Sequence, residues 1–136
     1  MDLTSDNERT SSEIPQSHVF LIDDEQDVLP EYQEFLEFAG FSACTSADPA
    51  EAYERVLNTP EIGVVVTDLR MAKIDGASLI RNLRAALPAE RHVGFIILTG
   101  DASTQLPSDI ADVPVFLKPA DTDALIAAIR FALVVP

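Results

Sequence analysis

The side chains best suited to chemistry stand at the ends of four short apolar runs. Asp23 and Asp24 close a run that starts at His18, Asp68 closes one that starts at Gly63, Thr99 ends a third, and Lys118-Pro119 ends a fourth. Carboxylate oxygens suit a hard divalent cation, while an ammonium and a hydroxyl suit phosphoryl oxygens. If these runs are strands lying side by side, the five groups share one pocket, and that pocket takes a divalent metal and a phosphoryl group.

The elements that would place them alternate regularly. Strands are expected at 18–22, 41–45, 62–67, 93–99 and 115–117, alternating with helical patterns, which is the signature of βαβ units and a parallel sheet. Val64, Val65 and Val66 form a continuous apolar run, the pattern of a strand covered on both faces, so the third strand is central.

Val28, Tyr32, Phe35, Leu36 and Ala39 recur at helical spacing and stop at Gly40, with Pro30 tolerable in the opening turn. A second helix spans about 49–57, capped by Ser46 or Asp48 and burying Ala50, Tyr53 and Leu57. A third spans about 77–87, opened by Gly76, striped by Leu79, Leu83 and Leu87 and stopped by Pro88. The last spans about 121–133, capped by Asp121 or Thr122 and striped by Leu125, Ile129 and Leu133.

At 136 residues, 47% hydrophobic and 24% charged, the chain has the balance of one globular domain. Residues 1–17 are polar and without apolar period, so they read as a disordered or mobile tail before a domain at 18–136. Nine basic against 23 acidic residues leave a net charge of -14, which argues against direct nucleic-acid binding. No apolar run reaches the roughly 20 residues of a membrane helix, and the start lacks a secretory pattern, so a cytoplasmic location is expected. Cys44 is the single cysteine and reads as a small core residue, while His18 and His92 read as residues at the solvent edge.

These elements together resemble the receiver domain of bacterial two-component response regulators, over about residues 19–133. The matching stretches are DDE at 23–25, VVVTDLRM at 64–71, DG at 75–76, LTG at 98–100 and LKP at 117–119. The resemblance implies a flavodoxin-like, doubly wound α/β fold: a five-stranded parallel sheet in order 2-1-3-4-5, which brings the first and third strands together.

It also implies roles. Asp68 is the phosphoacceptor, taking a phosphoryl group from a histidine kinase or phosphotransfer protein and forming an acyl phosphate. Asp24, Asp68 and the backbone carbonyl of Arg70 ligate Mg²⁺, with Asp23 acting through water. Lys118 and the metal neutralise the phosphoryl oxygens, and Thr99 hydrogen-bonds the new group and draws its loop inward. The domain catalyses only its own phosphorylation and dephosphorylation, and so is a signalling domain rather than an enzyme. Its implied partners are the sensor kinase, an output domain or downstream protein, and a second copy in a homodimer.

Three departures from the family pattern bear on the output. Ala72 stands where the family usually has proline, which should loosen the loop after Asp68. Val115 stands where an aromatic usually precedes the lysine by three positions, and Phe116 points to the opposite face. Thr99 and Lys118 are only 19 positions apart (118 minus 99), with Pro107 and Pro114 between them, so a shortened or irregular fourth helix is expected there. Arg70 and Asp101, each two residues beyond a site residue, are expected to pair across the entrance and restrict water. Two other functions compete with it: an aspartate-nucleophile phosphatase of the haloacid dehalogenase type, which needs a second carboxylate where Arg70 stands, and a receiver-like interaction module that takes no phosphate.

Overall fold

The computed structural model describes residues 18–101, 103, 105–118 and 121–134. The tail expected over 1–17 and Pro119 of the last motif lie outside the described residues.

Five strands, β1 (His18–Ile22), β2 (Ser42–Ser46), β3 (Ile62–Thr67), β4 (Gly94–Thr99) and β5 (Val115–Leu117), form one sheet in the order β2-β1-β3-β4-β5. Every pairing is parallel. Both the order and the central place of β3 match the sequence reading. β2 starts one residue later than expected because Phe41 is spent on the turn before it, its N–H donating to Leu36 O at 3.1 Å.

Strand residues alternate between two apolar layers. Phe20, Ile22, Val65, Phe95 and Ile97 face one cluster, while Val19, Leu21, Val64, Val66, Ile96 and Leu98 face the other. Covering both faces is why these strands read as unbroken apolar runs. A register shift between His18 and Val19, where the partners jump from Ile62 to Val64, lets Gly63 bulge out and changes the phase of β3.

Helix α1 (Leu29–Phe38) follows a 3-10 turn at Gln26–Val28 and takes Pro30 in its opening turn. It ends in a Schellman motif: Phe41 N–H donates to Leu36 O, Gly40 N–H donates to Glu37 O at 3.0 Å, and Gly40 takes φ 102°, a left-handed conformation that glycine adopts without a Cβ penalty. Helix α2 (Pro49–Asn58) is capped by Asp48, whose side chain accepts from Ala50 N–H.

In α2 the expected inward stripe was one position out of phase. Ala50 is exposed; Pro49, Ala52 and Val56 are buried, with Tyr53 and Leu57 half-buried beside them. Helix α3 (Gly76–Ala86) is capped by Asp75 and stops as Leu87 turns extended at ψ 137° before Pro88, which disfavours helical backbone in its predecessor. Helix α4 (Thr122–Val134) is capped by Asp121, whose Oδ1 accepts from Ala124 N–H at 3.1 Å.

Between β4 and β5 the described residues hold only a 3-10 turn, Ser108–Ile110, in line with the irregular link expected from its length. Ile110 and Val113 anchor it in the core. Arg81 and Arg84 of α3 clamp it from outside, pairing with Asp109 at 2.6 Å and Asp112 at 2.7 Å. With no α-helix over it among the described residues, β5 leaves Val115 42% and Leu117 49% exposed, while Phe116 packs inward on the opposite face.

Candidate functional site

The four apolar runs end at the same edge of the sheet, so the residues that terminate them converge. Asp68 N–H donates to Ile22 O at 2.9 Å and Lys118 N–H to Thr99 O at 2.8 Å, backbone bonds that tie the end of β1 to β3 and that of β4 to β5. Beyond these bonds lies a cleft of about 480 Å³ lined by Asp24, Glu25, Asp68, Arg70, Thr99, Gly100, Asp101 and Lys118. Its place is where the strand order reverses, beyond the carboxyl ends, the position at which open α/β sheets bind ligands.

One oxygen from each of Asp23, Asp24 and Asp68 lies within 4.8 Å of the others. Lys118 enters this group: its Nζ is 2.6 Å from Asp23 Oδ2 and 3.5 Å from Asp68 Oδ2. Asp23 is buried at 4% exposure and its second oxygen accepts from Glu25 N–H at 2.9 Å. Asp68 Oδ1 accepts from Leu69 N–H at 2.8 Å. Three carboxylates and one ammonium leave an excess of negative charge among oxygen ligands, which is the donor set a hard divalent cation such as Mg²⁺ relieves.

The electrostatics follow from that crowding. Burial pushes the Asp68 carboxyl above the ordinary carboxylate value and the neighbouring Asp23 charge adds to it, with Lys118 and the Leu69 N–H pulling the other way. Burial alone would lower the Lys118 ammonium, but its hydrogen bond to Asp23 and the charges of Asp68 and Asp23 outweigh it and raise its pKa. Lys118 therefore stays protonated and Asp68 is a less stable anion than an exposed aspartate.

Of the residues singled out in the sequence, Asp23, Asp24, Asp68, Arg70, Thr99, Asp101 and Lys118 fall in or against this cleft. Thr99 is 1% exposed, and its Oγ1 accepts from Asp101 N–H at 3.3 Å. Arg70 reaches over the mouth and pairs with Asp101 at 2.7 Å, as its spacing led us to expect.

Ala72 also bonds to the site. Its backbone N–H donates to Asp24 Oδ2 at 3.0 Å, a bond that a proline there could not make. Three contributors lie in the matching stretches but were given no role at the site: Glu25, which lines the cleft, Thr67, whose hydroxyl donates to the Asp68 carbonyl, and Gly76, read only as the opening of a helix, which packs on that same carbonyl. Cys44 is half-buried against the core, and His92 is exposed.

Fold and site together define a doubly wound α/β domain with an acidic pocket at the switch point of its sheet. The chain belongs to the response regulator receiver domain family, whose model matches residues 19–130. It is therefore a signalling domain of the two-component phosphorelay class. The transcriptional regulatory protein GlrR of Escherichia coli (strain K12) is 36% identical over 122 residues, covering 86% of this chain and 26% of GlrR. The regulatory protein VirG of Agrobacterium tumefaciens (strain 15955) is 30% identical over 123 residues, covering 88% of this chain and 44% of VirG. The chain thus spans between about a quarter and less than half of the length of these two relatives.

Among solved structures, the CheY-like receiver domain from Methylobacillus flagellatus superposes with a TM-score of 0.75 at 23% identity, covering 86% of this chain and 98% of that one. A receiver domain from Clostridium thermocellum gives a TM-score of 0.70 at 29% identity, covering 85% and 93%. The shared fold accounts for the sheet order.

Proposed function

We propose that Asp68 accepts a phosphoryl group from the phosphohistidine of a sensor kinase or phosphotransfer protein. A carboxylate oxygen of Asp68 attacks phosphorus, the bond from phosphorus to the histidine nitrogen breaks, and the imidazole leaves with the electron pair. The observation that carries this reading is the position of Lys118, whose ammonium stands between Asp23 and Asp68. There it can neutralise a phosphoryl oxygen, and the buried Thr99 hydroxyl lines the same cleft as a donor to another.

The donor set fits Mg²⁺. Asp24, Asp68 and the Arg70 carbonyl would hold it, with Asp23 behind them, and when bound it supplies further charge neutralisation at the phosphoryl oxygens. The hydrogen bond from Glu25 keeps Asp23 turned toward Lys118. Residues 18–136 act as the receiver, in the cytoplasm, passing the change to an output domain, a downstream protein or a second copy.

Arg70 occupies the place where the phosphatase alternative needs an acid-base carboxylate, and its side chain is engaged with Asp101. The test is incubation with a small acyl phosphate donor, with and without a chelator of divalent cations. A stable phosphorylated product that forms only when the cation is present supports the receiver reading. Continuous release of inorganic phosphate, with no phosphorylated protein trapped, supports the phosphatase instead.

A further inference from the structure

Asp68 leaves the sheet with its N–H still bonded to β1 but its carbonyl turned toward the start of α3. Gly76 lies so close there that a Cβ on it would stand 2.3 Å from the Asp68 carbonyl oxygen and 3.2 Å from its carbon. Only a residue without a side chain permits this approach, and on that side no water fits against the oxygen. A carbonyl shielded from water on that side needs a donor elsewhere. It finds one next door: Thr67 Oγ1 donates to it at 2.8 Å, and Thr67 is 0% exposed.

Thr67 follows Val64, Val65 and Val66, and pairs in register with Ile22 and Ile97. Valine has the same shape as threonine and would fill that interior position without burying a hydroxyl. The oxygen of Thr67 is what the position uses. On the far side of Asp68, Leu69 N–H holds Oδ1 at 2.8 Å, and Gly76 N–H holds Leu69 O at 2.8 Å. The peptide of Asp68 is thus fixed from both ends, with Oδ2 directed at Lys118.

Resting on the phosphoacceptor reading above, we infer that Thr67 is a positioning residue for that nucleophile: its hydroxyl locks the Asp68 peptide and so aims the carboxylate at the incoming phosphorus. It makes no contact with the phosphoryl group. Its effect should therefore appear in the rate at saturating donor and not in the amount of folded protein.

The experiment compares wild type, Thr67→Val, Thr67→Ser and the core variant Ile80→Val, following phosphoryl uptake by intact mass at saturating Mg²⁺ and a small acyl phosphate. Small misplacements of reacting groups cost on the order of 100-fold in rate, so Thr67→Val should slow uptake by at least about 10-fold. Thr67→Ser, which keeps the hydroxyl, should restore most of it. Ile80→Val should leave the rate unchanged whatever its melting temperature. An unaffected rate in Thr67→Val, or equal slowing in Ile80→Val, overturns the inference. If Thr67→Val does not fold, Thr67→Ala against Thr67→Ser decides in the same way. An unlabelled wild type rejects the phosphoacceptor reading itself, whereas a labelled wild type with an unaffected Thr67→Val rejects only the role of Thr67.

Discussion

Arg70 and Asp101 meet across the mouth of the cleft, with Nη2 of one 2.7 Å from Oδ2 of the other. Ser103 braces the aspartate from behind, its N–H and hydroxyl donating to Oδ1 at 2.9 and 2.6 Å. These bonds, Ser103 first and Arg70 after it, keep Asp101 below the ordinary carboxylate value, so the bridge persists into mildly acidic solution. The pair spans the entrance by which water would reach an acyl phosphate on Asp68.

Asp101→Ala should therefore hasten loss of the phosphoryl group. A solvent-exposed ion pair is a weak contact, so the change should be at most about five-fold. The decay of phosphorylated protein, followed by mass, measures it. An unchanged decay rate would remove any gating role from the pair.

Asp68 gives a pH-dependent prediction with a definite sign. Its pKa is raised on folding above the ordinary 3.8, so the folded chain binds the proton more tightly than the unfolded chain. Stability is then lost as pH rises from the unfolded value through the folded one, and at pH 7 the ionised Asp68 costs stability. Metal-free Asp68→Asn should melt above wild type at neutral pH and converge with it near pH 3. Mg²⁺ should favour wild type, by about 2.7 kcal/mol at 100 times its dissociation constant. Matching melting curves across the pH range would contradict the assigned cause.

Lys118→Met should leave Asp23 and Asp68 facing each other without their cation. Removing one member of a buried hydrogen-bonded pair costs about 3–5 kcal/mol, and the opening of this cleft to water should bring that to about 2 kcal/mol. Denaturant unfolding without metal measures it, and a loss below about 0.5 kcal/mol would show that Lys118 is dispensable to the resting site.

Ala72→Pro deletes the backbone donor to Asp24 Oδ2. Partners of metal ligands typically change affinity by 10- to 100-fold, so Mg²⁺ binding measured by calorimetry should weaken by about 10-fold. Unaltered affinity would mean that this N–H merely closes the loop.

Much of the architecture was legible because it rests on local chemistry. Val64 to Val66 announced a strand covered on both faces, Gly40 ended a helix, and Pro88 ended another. The clustering of Asp23, Asp24, Asp68, Thr99 and Lys118 was legible because strand ends in a doubly wound sheet meet at one edge.

What escaped depends on atoms that residue types do not specify. Ala50 and Ala52 are chemically alike, so only packing decides which faces inward. The Ala72 bond is made by a backbone N–H, and the Thr67 bond exists because Gly76, nine positions later, closes over the Asp68 carbonyl. Arg91 is a further case: its guanidinium donates to the carbonyls of Val56, Leu57, Thr59 and Ile62, fastening the turn before β3, and nothing in its surrounding sequence marks that role.

The central claim is that Asp68 is the phosphoacceptor. Intact mass after incubation with Mg²⁺ and a small acyl phosphate tests it most directly, on wild type and Asp68→Asn side by side. Wild type should gain the mass of one phosphoryl group and Asp68→Asn none; equal labelling of the two would contradict the assignment.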